Sequence, residues 1–139
     1  MSGCTRRSAL IGMVTAGLGP APDAWAADPA GHAELIAAAF RMKQEAVESG
    51  DQPYGAVVAR EGRVVGWGPS RVVSKRDPAA HAEREAIRAA QAALGSNDLS
   101  GCVLYSTSRP CHACERAAAD ANVARMIYGP QGLDGGRPR

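Results

Sequence analysis

Aromatic residues are scarce: one Phe, two Trp and three Tyr in 139 positions. A core built on rings is therefore excluded, and the interior has to be assembled from small residues with a few Val, Ile and Leu; Ala alone fills 28 positions. Charge of one sign is also lacking. Sixteen Lys and Arg stand against 14 Asp and Glu, a formal +2, and a balance this even does not announce the concentrated basic face that phosphate tracking requires. Long hydrophobic runs are missing, since no stretch approaches the roughly 18 apolar residues of a membrane helix. What remains is one domain's worth of chain with 45% hydrophobic residues, too apolar for disorder. Four Cys and three His are few enough to be examined one by one.

Residues 1–26 read as an export signal. Arg6-Arg7 supply a positive start, Ser8 to Gly19 a short apolar stretch, and Ala24-Trp25-Ala26 a small-x-small cleavage site before Ala27. The paired Arg in Thr5-Arg6-Arg7-Ser8-Ala9-Leu10 resembles a twin-arginine signal, the route that exports chains already folded. The expectation is a periplasmic or secreted protein. An ordinary secretory signal, or an amphipathic helix that stays attached, are the alternatives. Cys4 falls within this segment and is not counted in the mature domain.

Beyond it, apolar residues at three-to-four spacing predict a helix over Gly31 to Ser49, stopped by Gly50. Tyr54 to Arg60 and Arg63 to Trp67 read as a hairpin around Glu61-Gly62. Ala80 to Leu94 is a strong helix with Gly95 as its cap. Cys102 to Thr107 is a buried-type strand, Pro110 opens a helix to about Ala121, and Ala124 to Tyr128 is a last strand. Strands linked through helices imply a three-layer α/β/α sandwich, with parallel pairs and a hairpin that makes the sheet mixed. The domain spans residues 31–129, and the Gly/Pro-rich 130–139 reads as a disordered tail.

Three side chains offer soft or borderline metal ligands: His81, Cys111 and Cys114. The two Cys, three apart at a predicted helix start, share a face. The free N–H groups and positive dipole there favour thiolate. One imidazole and two thiolates give zinc three protein ligands and leave a fourth position open, the mark of a catalytic site. Glu83 follows His81 by two, so both serve one site only if His81 lies at or before the first helical turn; the Asp77-Pro78 break allows that start.

His81-Ala82-Glu83 followed by Pro110-Cys111-His112-Ala113-Cys114 resembles the cytidine/deoxycytidylate deaminase superfamily, near the branch of guanine, cytosine and tRNA adenosine deaminases. Pro53-Tyr54-Gly55-Ala56-Val57-Val58, Asp77-Pro78-Ala79-Ala80, Ala86-Ile87-Arg88, Leu104-Tyr105-Ser106-Thr107 and Ile127-Tyr128-Gly129 extend the resemblance over about residues 31 to 129. It implies a zinc hydrolase that deaminates a free nucleobase or nucleoside of guanine, cytosine or adenine type. In it Glu83 carries protons, and Tyr54, Ser70 and the backbone of Ala82 meet the substrate. It also implies a homodimer. Export and near-neutral charge argue against a nucleic-acid partner; with the leader retained, a cytoplasmic tRNA adenosine deaminase is the alternative. The branch usually has Asn at the position of Ser70, often Glu at Arg109 and Met at Ala113, and it usually continues past Gly129.

Blander readings stand beside these. Cys111 and Cys114 also fit a periplasmic thiol-disulfide protein, which leaves His81-Ala82-Glu83 unexplained. A structural zinc site completed by His112, or a degenerate domain used only for binding, are further alternatives. His32 reads as solvated, His112 as pocket wall or surface, Cys102 as an inert core thiol, and Trp67 as packing. Arg71, Lys75 and Arg76 read as a solvated basic loop, and Arg84, Arg88 and Arg116 as helix-surface charges.

Overall fold

The computed structural model describes residues 29–139; the expected export signal and its Cys4 lie outside them. Helix α1 (Pro29–Glu48) comes first. Strands β1 (Gly55–Arg60) and β2 (Arg63–Pro69) then form the expected hairpin. Its two-residue loop has positive φ at both Glu61 and Gly62, the turn chirality that matches strand twist. Helix α2 (Ala82–Leu94) follows, capped by Gly95 in the left-handed conformation. Next come β3 (Cys102–Ser106), α3 (His112–Asp120) and β4 (Arg125–Tyr128).

The chain forms a three-layer α/β/α sandwich around a mixed sheet, as the element order implied. Strand order is β2-β1-β3-β4-β5. Among the described strands only β3 and β4 run parallel; β3 takes the centre, and β1 pairs antiparallel with both β2 and β3. On one face Leu35, Ala38 and Ala39 of α1 pack on Val57, Ala59, Val103, Tyr105 and Ile127. On the other, Ala82, Ala86, Ile87 and Ala90 of α2 and Ala118 of α3 pack on Ala56, Val58, Cys102, Leu104 and Met126. Strands covered on both faces lose the apolar–polar alternation, and β3 is buried at every position.

Three expectations are corrected. Residues 130–139 are not a disordered tail: they carry β5 (Leu133–Gly136), antiparallel to β4. Its sequence shows no apolar alternation, and what holds it is backbone pairing plus a two-pronged ion pair from Arg125 Nη1 to Asp134 at 2.9 and 2.7 Å. His32 is not simply solvated, since its Nδ1 lies 2.9 Å from the Tyr105 hydroxyl and the rings meet edge-on. Burial pushes that phenol up to about 12, so it stays protonated. Finally, α2 and α3 begin two residues later than the sequence suggested: His81 and Cys111 are extended cap residues, with ψ of 154° and 166°.

The scarcity of bulk has a structural purpose. Gly66 and Gly68 of β2 lie directly against the backbone of α2. A Cβ on Gly68 would collide with the Ala82 carbonyl oxygen, and one on Gly66 with that of Ala86. Ala82, Ala86 and Ala90 recur every fourth position on the facing side and are fully buried. Helix and sheet thus approach as closely as backbones allow, which sets where α2 starts. Gly68→Ala is expected to cost about 1–3 kcal/mol by overpacking, read as a lower urea midpoint; an unchanged midpoint contradicts this close contact.

Candidate active site

The site forms where the chain leaves β2 and β3 and enters α2 and α3. Because His81 stays extended, its ring is not carried round with the first turn of α2. Glu83, two residues later, can then approach the same centre from inside the helix. Cys111 occupies the equivalent place at α3, where its Sγ accepts the Cys114 N–H at 3.4 Å. His81 Nδ1 lies 3.6 Å from Cys111 Sγ and 3.4 Å from Cys114 Sγ. The three donor atoms all fall within 4.8 Å of one another.

This donor set fits zinc. Tetrahedral bonds of about 2.3 Å to sulfur and 2.0–2.1 Å to nitrogen place N and S roughly 3.5 Å apart, which is the spacing found. Burial pushes the Cys114 thiol up, and the nearby Glu83 carboxylate and Cys111 push it the same way. Such a cluster disfavours further negative charge unless a cation is present. Both thiols are free rather than paired in a disulfide.

Glu83 is buried, and Ser106 Oγ donates to its Oε1 at 2.7 Å. Sequence reasoning did not single out Ser106, because a bond between strand and helix leaves no local spacing signal. Tyr54, Ser70, His81, Glu83 and Cys111 border one cavity of about 330 Å³, together with Gln52, Ser108 and Arg109. That volume lies at the small end of ligand pockets. Ala82 does not border the cavity; it is buried, with its carbonyl oxygen against Gly68. Tyr54 is half-exposed, and its carbonyl accepts the Ser70 N–H at 3.1 Å. His112 and Ala113 are exposed and lie outside the lining, as does Cys114 beneath it.

Asp51 was also missed by sequence reasoning. It is buried and accepts from Ser70 Oγ at 3.0 Å and from the backbone N–H groups of Gln52, Val73 and Ser74 at 2.8, 3.3 and 2.9 Å. It therefore pins the loop that leads from β2 towards His81. The basic run of that loop is partly paired: Arg71 with Glu45, and Lys75 with Glu85.

A zinc-ligand triad under a buried carboxylate, on an α/β/α sandwich, defines a class of metal-dependent domain. The family model for the cytidine and deoxycytidylate deaminase zinc-binding region matches residues 29–130, and the chain belongs to that family. It is 34% identical over 94 residues to a tRNA-specific adenosine deaminase of Aquifex aeolicus, covering 68% of this chain and 62% of the relative. It is also 34% identical over 104 residues to a guanine deaminase of Bacillus subtilis, covering 74% and 67%. The crystal structure of the Bacillus subtilis guanine deaminase superposes with a TM-score of 0.68 at 34% identity, over 70% of this chain and 63% of that one. The chain thus spans about two thirds of the length of these relatives.

Burial works to raise the Asp51 carboxyl, but the N–H groups of Ser74, Gln52 and Val73 and the Ser70 hydroxyl outweigh it. The group is held well below its ordinary 3.8. Below pH 3.8 the unfolded chain takes up a proton that the fold does not, so stability from this group is present at neutral pH and lost as pH falls. The urea midpoint of Asp51→Asn should lie below that of the native protein at pH 7, with the gap narrowing below pH 3.8; a gap constant from pH 7 to 3 contradicts the assignment.

Proposed function

We propose that the protein is a zinc-dependent hydrolase that removes the exocyclic amine of a free nucleobase or nucleoside, of guanine, cytosine or adenine type. The observation that carries this reading is the buried Glu83 carboxylate, tethered by Ser106 and facing the same cavity as His81 and Cys111. Bound zinc would be held by His81, Cys111 and Cys114 and would supply the Lewis acidity that makes a water nucleophilic near neutral pH. Glu83 takes the proton from the attacking water and gives it to the ring nitrogen beside the amino-bearing carbon. The C–O bond forms at that carbon. Glu83 then takes the second proton from the hydroxyl on that carbon and delivers it to the amine; the C–N bond breaks as the C=O bond forms, so one water is consumed and one ammonia released. Ser106 keeps the carboxylate aimed throughout. Tyr54 and Ser70 form walls for the base.

A free base or nucleoside is favoured over a polynucleotide by the charge balance, 16 Lys and Arg against 14 Asp and Glu. Arg71, Lys75, Arg88 and Arg125 are engaged by carboxylates. The resemblance supports a homodimer. Among the described residues no helix is long and apolar enough to cross a membrane. Glu83→Gln should keep one zinc per chain and lose ammonia release by about 10²–10⁴-fold. Full turnover by that variant, measured over a panel of bases and nucleosides, would remove Glu83 from the mechanism.

We also propose that residues 1–26 direct export by the twin-arginine route to a periplasmic or secreted location. The paired Arg6-Arg7 and the Ala24-Trp25-Ala26 site support this. Replacing both Arg with Lys should retain an uncleaved precursor in the cytoplasm on fractionation; unchanged export of the Lys variant contradicts the route.

A further inference from the structure

Ser70 stands on the cavity wall with almost no freedom. It is 1% exposed, and its backbone N–H is spent on the Tyr54 carbonyl. Its hydroxyl has one proton to give, and it points at Asp51 Oδ1, 3.0 Å away. Asp51 cannot return a proton, because three backbone N–H groups hold it as a carboxylate. Turning the Ser70 proton towards the cavity would remove a partner from a buried charge, at the cost of an unmet hydrogen bond. Two lone pairs on Ser70 Oγ are what the hydroxyl has left to offer. The negative charge behind it polarises the O–H bond and makes that oxygen a stronger acceptor.

We infer that Asp51 sets the substrate specificity of the site: by holding the Ser70 proton it makes Ser70 a fixed hydrogen-bond acceptor, so the pocket takes bases that present an N–H to that wall and rejects those that present a lone pair or a methyl group there. Asp51 is thus a positioning residue that acts through Ser70 and does not itself border the cavity. The inference rests on the deaminase reading for the class of ligand, while the polarity of the wall follows from the hydrogen bonds alone. A serine whose proton were free could serve either kind of edge, and the site would not discriminate there.

The test is equilibrium binding of guanine, cytosine and adenine, each with its singly N-methylated forms, to the full zinc-loaded protein carrying Glu83→Gln to prevent turnover. For the base that binds, one N-methyl form should bind about 10–100-fold more weakly than its parent, the penalty for blocking a buried donor. Ser70→Ala should erase that difference while the other methyl positions keep their ratios. Asp51→Ala, which removes the acceptor and leaves the Ser70 proton free to turn, should shrink or reverse it. A methylation profile unchanged in Ser70→Ala overturns the inference, and so does a native-like profile in Asp51→Ala, or failure of all three bases to bind. Ammonia release is measured separately with Glu83 intact. A Ser70-dependent profile without ammonia sustains the inference and sinks the deaminase reading; ammonia with no such profile does the reverse.

Discussion

Two helix starts have to meet with their cap residues still extended, and the rest of the site depends on that meeting. His81 and Cys111 each precede a helix and keep a β-region backbone. If either were wound into its helix, its side chain would rotate by about 100° per residue away from the other, and the spacing of 3.4–3.6 Å between imidazole and sulfurs would be lost. The free N–H groups at the start of α3 add a second reason for this placement. They present positive potential to the Cys114 thiol, whose burial otherwise resists ionisation. The glycines of β2 supply the third element, because a helix resting on bare backbone has little freedom to slide.

Around this meeting point each polar group has one assigned task. Ser106 reaches from β3 to Glu83, so the carboxylate is anchored to the sheet while its backbone belongs to α2. Asp51 gathers the loop after β2 and keeps Ser70 on the cavity wall. Both devices are short hydroxyl-to-carboxylate bonds across elements far apart in sequence. They constrain rotamers that would otherwise be free, which preorganised chemistry requires.

Much of this was legible before any coordinates. Gly50, Glu61-Gly62, Gly95 and the Asp77-Pro78 break punctuate the chain, and small apolar periodicity identifies the helices between them. The class of sandwich follows from that order. The His, Glu and Cys positions were legible because their chemistry is rare and their spacing local. Strand order was not, since nothing local says that β1 pairs on both sides. The strand β5 was hidden because Leu133–Gly136 carries no alternation and is held by Arg125 and backbone bonds. Asp51 and Ser106 were hidden for a related reason: a lone Asp in a loop and a Ser in an apolar strand look ordinary until their partners, 19 and 23 residues away, are brought alongside.

The account's central claim is that one imidazole nitrogen and two thiolates hold a single zinc ion with a corner left for a light atom. X-ray absorption at the zinc edge of the purified protein tests it directly. The predicted shell has two sulfurs at about 2.3 Å and two nitrogen or oxygen atoms at about 2.0–2.1 Å. A shell without sulfur, a shell of four sulfurs, or a metal-free protein in which Cys111 and Cys114 form a disulfide would contradict it.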